Sequence, residues 1–185
     1  MAGSLTMFAG CMASGKSALL LNRVAFLRTM NLSAVVSLPV GRYGNEMRAF
    51  SRAGPSEYAL RFKEANDLRR WTHSDKVLAI DEIQDQELWV SDVLEELKRS
   101  GCKIIVAGRD TNFRGEPYPI MEALRTIADE YTQLTAVCTV CQLQAERSQR
   151  LVLGEPAHWD SPILEQGPPR ETYEPRCLAH HVVPR

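Results

Sequence analysis

Residues Gly10-Cys11-Met12-Ala13-Ser14-Gly15-Lys16-Ser17 fit the phosphate-loop pattern G-x-x-x-x-G-K-[ST]. The apolar run at residues 5–9 is typical of a buried strand, and residues 17–27 carry apolar side chains at helical spacing. In such a unit the glycines allow a tight turn, and backbone N–H groups at the helix N-terminus point toward a bound phosphate. A chance glycine-rich turn would not need this strand and helix, so the stretch predicts nucleoside triphosphate binding. Lys16 is expected to reach the β- and γ-phosphates, and Ser17 to place its hydroxyl on Mg²⁺.

Strand-like and helical patterns alternate over the first two-thirds of the chain. Residues 33–38, 77–80 and 103–107 have the composition of buried strands. Residues 86–99 carry apolar side chains at helical spacing, and Gly101 follows as an expected cap. This alternation predicts an α/β fold with a parallel sheet and helices on both faces. Ligands of such sheets bind at the carboxyl ends of the strands, where the phosphate loop would lie.

The composition of the 185 residues limits the class of protein. A net charge of -1 gives no overall attraction to nucleic acid or membranes. No apolar run approaches the roughly 20 residues that span a bilayer, and no signal peptide is visible. Five cysteines, two of them three positions apart, suit metal binding in a reducing compartment better than a disulfide framework. We therefore expect a cytoplasmic protein with no membrane or nucleic-acid partner.

The strand pattern at residues 77–80 ends in two acidic residues, Asp81 and Glu82. In a phosphate-loop protein this is the position of the second Mg²⁺-associated carboxylate, a role that Asp81 fits. Glu82 would leave the strand in another direction, toward a phosphate acceptor, and could take the proton of an attacking hydroxyl. The alternative is that both acids only cap the next helix. These motifs alone do not separate a kinase from an ATPase.

Residues 133–185 differ in character from residues 1–132, because cysteines appear and prolines accumulate. Cys138 and Cys141 form a C-x-x-C pair, and Cys177 and His180 form a C-x-x-H pair after 35 intervening residues. Two such pairs suit a closed, structural Zn²⁺ site better than a redox-active C-x-x-C, and His181 is an alternative to His180. We expect a phosphate-loop domain at residues 1–132 and a small zinc-binding subdomain with a long loop at residues 133–185.

With these features in place, the chain resembles the zinc-containing thymidine kinase family of the cytosolic and bacterial type over nearly its whole length. The motifs that carry the resemblance occur in the family's order: residues 10–17, 80–84 (IDEIQ), 108–118 (GRDTNFRGEPY), 134–138 (LTAVC), 149–151 (QRL) and 173–177 (YEPRC). The resemblance implies a RecA-like domain, a zinc subdomain and a lasso loop that closes over a nucleoside. It also implies ATP with Mg²⁺ as phosphoryl donor, a deoxynucleoside as acceptor, structural Zn²⁺ and assembly into homotetramers.

The resemblance also assigns roles to single residues. It implies Glu82 as the base for the 5′-hydroxyl of the nucleoside. It implies Phe113 against the nucleobase, Tyr173 near sugar and base, and Met12 close to the substrate. The lasso residue Gly167 belongs to the same implied substrate site.

Three departures from the family's pattern cluster around this implied site. Asp85 stands where the family usually has Phe, and Arg109 where it usually has Leu. Ala53 stands near the expected place of an Asp beside the catalytic base. In one interpretation Asp85 and Arg109, which could bridge each other, line a pocket for a different nucleobase. In a second interpretation Asp85 faces solvent at a helix start and thymidine still binds, and in a third the kinase activity is lost.

We therefore expect an enzyme that phosphorylates the 5′-hydroxyl of thymidine or a related deoxynucleoside. A nucleotide-binding module with a lost acceptor pocket is the second hypothesis, and its support is the three departures. A RecA-like ATPase acting on nucleic acid is the third, and the near-neutral charge weighs against it. Arg42, Arg52 and Arg114 are further cations that could stabilise a transferring phosphoryl group.

Overall fold

A seven-stranded sheet forms the centre of the computed structural model, which describes residues 2–40, 48–50, 56–70, 76–163 and 170–185. Its strands are β1 (Ser4–Gly10), β2 (Ser33–Pro39), β3 (Arg48–Phe50), β4 (Ser56–Phe62), β5 (Lys76–Ile80), β6 (Lys103–Gly108) and β7 (Glu130–Leu134). They lie in the order β3-β4-β2-β5-β6-β1-β7. Among these described strands the pairs are parallel except β3 with β4. The predicted α/β fold is confirmed, with the correction that one edge of the sheet is antiparallel.

Helices cover both faces of this sheet, as predicted. They are α1 (Lys16–Thr29), α2 (Ala65–Arg69), α3 (Trp89–Arg99) and α4 (Pro119–Ile127). Helix α1 packs on one face through Leu20, Leu21 and Val24, whereas buried residues of α2, α3 and α4 belong to a second core on the other face. Within the described ranges, no helix is both long and apolar enough to cross a membrane.

The central strands supply side chains to both cores. On β1, Leu5 and Met7 belong to the core beneath α3 and α4, whereas Phe8 belongs to the core beneath α1. On β6, Ile104 and Ile105 divide in the same way. Successive side chains of a strand point to opposite faces, so a strand covered on both sides must be apolar throughout. This explains why β1, β5 and β6 could be recognised as continuous apolar runs.

Other elements lacked that signal and were not predicted. Strand β4 mixes polar and apolar residues without strict alternation, and β7 is mostly polar. The helix predicted at residues 86–99 begins at Trp89, because the backbone of Gln86 is extended after the 3-10 turn at residues 83–85. Gly101 follows α3 with a φ of 96°, and its N–H donates to the Lys98 carbonyl at 3.0 Å, as expected for a cap.

The later part of the chain forms two small sheets. Strands β8 (Ala136–Val137) and β9 (Gln144–Ala145) make a hairpin, and β10 (Arg147–Val152) lies between β11 (Glu155–Pro156) and β12 (Glu171–Arg176). The large sheet ends at Leu134 and β8 begins at Ala136, close to the expected boundary at residue 133. The division into two domains stays a prediction.

The order of the strands decides which loops meet. Strand β6 lies between β1, which leads into the phosphate loop, and β5, which leads into Asp81. Gly108 of β6 is in register with Ala9 of β1, and Val106 with Ile80 of β5. Because the three strands are parallel, the residues that follow them, including Arg109, converge at one edge of the sheet.

Candidate functional site

The predicted phosphate loop joins β1 to α1 and has the backbone that such a turn requires. A Cβ atom on Gly10 would lie 2.2 Å from the Leu134 carbonyl oxygen, so a larger residue does not fit there. Ala13 and Gly15 have φ values of 61° and 87°, and Gly15 caps the N-terminus of α1. The Lys16 ammonium donates to the Cys11 carbonyl at 2.6 Å. This hydrogen bond joins the two ends of the phosphate loop.

Lys16 is buried, at 7% exposure, beside two acidic residues. Burial lowers the pKa of Lys16, while the nearby charges of Glu82 and Asp81 favour its protonated form. A buried cation beside a loop of backbone N–H groups is suited to hold an anionic phosphate.

The small sheets hold the phosphate loop from its outer side. The Met12 N–H donates to the Ser148 hydroxyl of β10 at 2.9 Å, and the Cys11 thiol donates to the Ala145 carbonyl of β9 at 3.4 Å. Burial raises the pKa of the Cys11 thiol. The phosphate-loop pattern predicts Cys11 and Met12 in the phosphate site, whereas Ser148 carries no motif signal of its own.

The structure brings together Ser17 and Asp81, the two residues predicted for Mg²⁺. Asp81 is 3% exposed, and the Ser17 side chain is near enough to influence the ionisation of its carboxylate. Burial, reinforced by the charge of Glu82, raises the pKa of Asp81 to about 7. A hydroxyl and a carboxylate are oxygen ligands of the kind that Mg²⁺ takes, directly or through water, in nucleotide-binding sites.

Glu82 follows Asp81 in an unusual backbone conformation. Its φ and ψ are 56° and 40°, a left-handed conformation that is uncommon for a residue with a side chain. The Glu82 N–H donates to the Asp81 carboxylate at 3.0 Å. The Glu82 carboxylate in turn accepts a hydrogen bond from the Gln84 amide at 2.8 Å. The predicted base is therefore fixed at both its backbone and its side chain.

Arg109 directly follows β6 and is buried, at 1% exposure. Its guanidinium carbon lies 5.6 Å from the Tyr118 ring centroid and 5.1 Å from that of Tyr173. Burial opposes its charge, but attraction to Tyr118, Glu82, Tyr173 and Asp85 outweighs burial and raises the pKa of Arg109. Asp85 itself is exposed at the end of the 3-10 turn. The Asp85 carboxylate thus attracts the Arg109 guanidinium from an exposed position, whereas Arg109 is buried in the protein.

Phe113, predicted to contact a nucleobase, is 1% exposed. The guanidinium carbons of Arg114 and Arg150 each lie 5.2 Å from its ring centroid. Arg150 also forms a buried ion pair with Glu171 of β12. The ring of Phe113 is therefore packed against two cations. The remaining predicted substrate residue, Gly167, lies outside the described residues, as do Arg42, Arg52 and Ala53.

The four predicted metal ligands lie together at the end of the small sheets. One ligand atom from each of Cys138, Cys141, Cys177 and His180 lies within 4.8 Å of the others. The His180 Nδ1 atom is 3.2 Å from the Cys177 sulfur and 3.9 Å from the Cys138 sulfur. Three thiols and one imidazole at this spacing fit a closed tetrahedral Zn²⁺ site.

Local structure explains why these four residues meet. Residues 138–142 turn tightly after β8, with the Gln142 N–H donating to the Cys138 carbonyl at 3.0 Å. Cys177 follows β12, and a 3-10 turn at Leu178–His180 brings the imidazole back toward its sulfur. His181, the alternative ligand, instead places its Nε2 atom 2.9 Å from the Phe113 carbonyl oxygen. The structure therefore brings His180 into the four-residue cluster and directs His181 away from it.

The chain is similar to one protein family and to solved structures of a viral NTPase. A family model described as thymidine kinase matches residues 3–181. Among solved structures, the genome packaging NTPase B204 of Sulfolobus turreted icosahedral virus 2 bound to ATP-gammaS is 14% identical, with a TM-score of 0.45. The match covers 74% of this chain and 75% of the viral chain. The sulfate complex of the same NTPase is 16% identical with a TM-score of 0.47, and the match covers 75% of this chain and 76% of the viral chain.

Proposed function

Because this chain belongs to the thymidine kinase family, we propose that it transfers the γ-phosphoryl group of ATP to the 5′-hydroxyl of thymidine or a related deoxynucleoside. The observation that carries the proposal is the position of Glu82. Its carboxylate lies within electrostatic reach of both Lys16 of the phosphate loop and Arg109 at the end of β6. A carboxylate held between a phosphate-binding loop and an acceptor pocket is suited to take a proton from the acceptor.

The donor side consists of the phosphate loop and the two oxygen ligands. Backbone N–H groups of Gly10–Ser17 and the Lys16 ammonium hold the phosphates of ATP. Ser17 and Asp81 would hold Mg²⁺, which neutralises charge on the phosphates when bound. The Ser17 side chain is already near enough to the Asp81 carboxylate to influence its ionisation before any metal binds.

On the acceptor side, Glu82 accepts the proton of the nucleoside 5′-hydroxyl. The hydroxyl oxygen forms a bond to the γ-phosphorus while the bond from that phosphorus to the β–γ bridging oxygen breaks, so ADP leaves with the electron pair. Arg109 and Lys16 place positive charge near the developing negative charge. Met12, Asp85, Phe113, Gly167 and Tyr173 complete the proposed substrate site.

Zn²⁺ has a structural role in this proposal. Its four proposed ligands leave no position open for a substrate, and they connect β8, β9 and β12. Ala145 of β9 and Ser148 of β10, the strand that pairs with β12, contact the phosphate loop. We further propose a cytoplasmic homotetramer, in line with the family.

A nucleotide-binding module without transfer activity is the second candidate. Arg109 and Phe113 are each 1% exposed, so the side chains expected around a nucleobase are covered by other protein groups. If the pocket does not open, ATP would still bind to the phosphate loop while no nucleoside could reach Glu82.

ADP release by the purified protein separates these candidates. The assay contains ATP, Mg²⁺ and one of thymidine, deoxyuridine, 5-hydroxymethyldeoxyuridine, deoxycytidine or a purine deoxynucleoside. We expect nucleoside-dependent ADP release that Glu82→Ala abolishes while ATP binding persists. Glu87→Ala, which removes an exposed carboxylate five residues away, is the control and should remain active. Full activity of Glu82→Ala would contradict the assigned base, and no response to any nucleoside would favour the binding module.

A further inference from the structure

Gln84 connects the proposed base to strand β6 through one side-chain amide. Its Nε2 group donates to the Glu82 carboxylate at 2.8 Å and, over a longer distance of 3.4 Å, to the Asp85 carboxylate, and its Oε1 atom accepts from the Arg109 N–H at 3.0 Å. Gln84 is 2% exposed, although it lies in the short 3-10 turn at Ile83–Asp85. A buried polar side chain in a turn needs partners for its polar atoms, and this one finds them on two separate elements.

The chemistry of the partners determines which way the amide points. A backbone N–H can only donate, so the Gln84 oxygen must face Arg109. An ionised carboxylate can only accept, so the Gln84 amino group must face Glu82. The reversed orientation would place donor against donor and acceptor against acceptor. The amide is therefore locked, and it always presents a donor to Glu82.

The oxygen end of the Gln84 amide lies against Gly108 of β6. Gly108 immediately precedes Arg109, and a Cβ atom there would lie 3.0 Å from the Gln84 oxygen and 2.8 Å from the Met121 sulfur. Gln84 therefore lies in a slot beside Gly108, and a side chain at residue 108 would crowd it. Since Gly108 is in register with Ala9 of β1, the slot has a fixed position relative to the phosphate loop.

The near end of the bridge needs such support. Glu82 has a left-handed backbone, which persists only where surrounding contacts hold it. The hydrogen bond from Gln84 gives its carboxylate one defined position, and a carboxylate bound to a donor is held more firmly than a neutral acceptor would be.

From these contacts we propose that Gln84 is a positioning residue. By linking the Glu82 carboxylate to the backbone that follows β6, it fixes the distance between this carboxylate and the phosphate loop. This inference rests on the proposed function, because it assumes that Glu82 is the base. It predicts that loss of the bridge slows phosphoryl transfer without weakening nucleotide binding, since a small displacement of a reacting group reduces the rate steeply.

The test uses Gln84→Leu and Gln84→Glu in the full-length protein, with Gln86→Leu as the matched change at a neighbouring position. Leucine removes both hydrogen bonds of the bridge. Glutamate still accepts from the Arg109 N–H but places a second carboxylate against Glu82. We expect kcat to fall about 10- to 100-fold in both variants, with KM for ATP within about two-fold of wild type. Gln86→Leu should keep kcat within about two-fold.

A second background separates positioning from a general structural effect. In Glu82→Asp the carboxylate is one methylene shorter and loses its contact with Gln84, so adding Gln84→Leu should cost less than about three-fold in kcat. An equal loss in both backgrounds would overturn the proposal, and so would wild-type kcat in Gln84→Glu, the variant that best preserves shape. If Glu82→Ala keeps full activity, the proposed function itself falls and this inference falls with it. A normal Gln84→Leu beside an inactive Glu82→Ala overturns only the inference.

Discussion

The guanidinium carbon of Arg109, at the end of β6, lies 5.1 Å from the ring centroid of Tyr173 on β12. This contact joins the residue that follows β6 of the large sheet to a strand of the three-stranded sheet, beside the proposed base. A cation over an aromatic ring is stabilised most where water is excluded, and Arg109 is 1% exposed. The proposed substrate site therefore contains a buried positive charge, at a position where the family usually has Leu.

Replacing Arg109 should change which nucleoside is preferred. Arg109→Leu removes the charge and the contacts with Tyr118 and Tyr173, and it restores an apolar surface. We expect the ratio of kcat/KM for thymidine to that for deoxycytidine to rise by about ten-fold or more, because a pocket that loses a polar group discriminates differently. Arg109→Lys is the control for charge, since it keeps the cation without the planar stacking surface. The same ratio in wild type and Arg109→Leu would exclude Arg109 as a specificity determinant.

The two adjacent histidines should behave differently toward zinc. His180→Ala removes a proposed ligand, so bound zinc, measured by elemental analysis, should fall well below about one ion per chain and the thermal midpoint should drop. His181→Ala leaves the four-residue cluster intact and should retain zinc. Cys138→Ala should likewise lose zinc, whereas Cys102→Ala should retain it. Cys102 is also a buried cysteine, but it is not a member of the cluster. Zinc retained by His180→Ala and lost from His181→Ala would reverse the ligand assignment.

Asp81 should make stability depend on pH. Its pKa is raised to about 7 in the folded chain, above the ordinary value of 3.8, so the unfolded chain loses this proton first as the pH rises. The free energy of unfolding should then fall by up to about 1.4 kcal/mol per pH unit between about pH 4 and pH 7, and the loss should be complete above pH 7. Asp81→Asn lacks this term.

The measurement is urea unfolding of wild type and Asp81→Asn with a chelator of Mg²⁺ present, at several pH values. The difference between the two proteins removes the contribution of all other titrating groups. We expect the advantage of Asp81→Asn to grow from pH 4.5 to pH 7 and then to level off. An advantage that shrinks over this range would mean that the folded state favours the charged form of Asp81.

Loss of the Ser148 hydroxyl should weaken nucleotide binding from outside the phosphate loop. Ser148→Ala leaves the Met12 N–H without its acceptor, so the loop is held less firmly. One hydrogen bond contributes about 1 kcal/mol, which corresponds to a roughly five-fold weaker Kd for ATP, measured by titration calorimetry. Ser91→Ala is the matched control, because this buried serine hydroxyl on α3 donates to the Leu88 carbonyl. Equal ATP affinity in Ser148→Ala and wild type would show that the contact does not support the loop.

Much of the fold was predictable because its signals are local. The glycine and lysine spacing of residues 10–17, the apolar runs of β1, β5 and β6, and the two short-spaced ligand pairs are each confined to a few neighbouring residues. Family membership and the α/β fold follow from them and are confirmed. Strand β4 was missed because a half-exposed strand mixes polar and apolar residues, and such mixing resembles a loop. Helix α4 was not predicted either, although its buried residues Ile120, Met121 and Leu124 have helical spacing.

The site was predictable only in part, because the sequence indicates which side chains are functional candidates but not which residues they contact in the fold. It identified Asp85 and Arg109 as a possible pair, but it could not tell that Asp85 lies on the surface and Arg109 inside. It left His180 and His181 as alternatives, and only the turn after Cys177 directs one toward the cluster and the other toward Phe113.

The sequence by itself determined the class of chemistry, since the phosphate loop, the acidic strand end and the metal ligands each need particular residue types at fixed spacing. The tertiary structure alone decided how these groups are held: Ser148 against Met12, Gln84 between Glu82 and Arg109, and Arg109 beside two tyrosines. The physical reason is that spacing and periodicity depend on covalent neighbours, whereas Ser148 and Met12 are 136 positions apart and meet only when separate sheets pack.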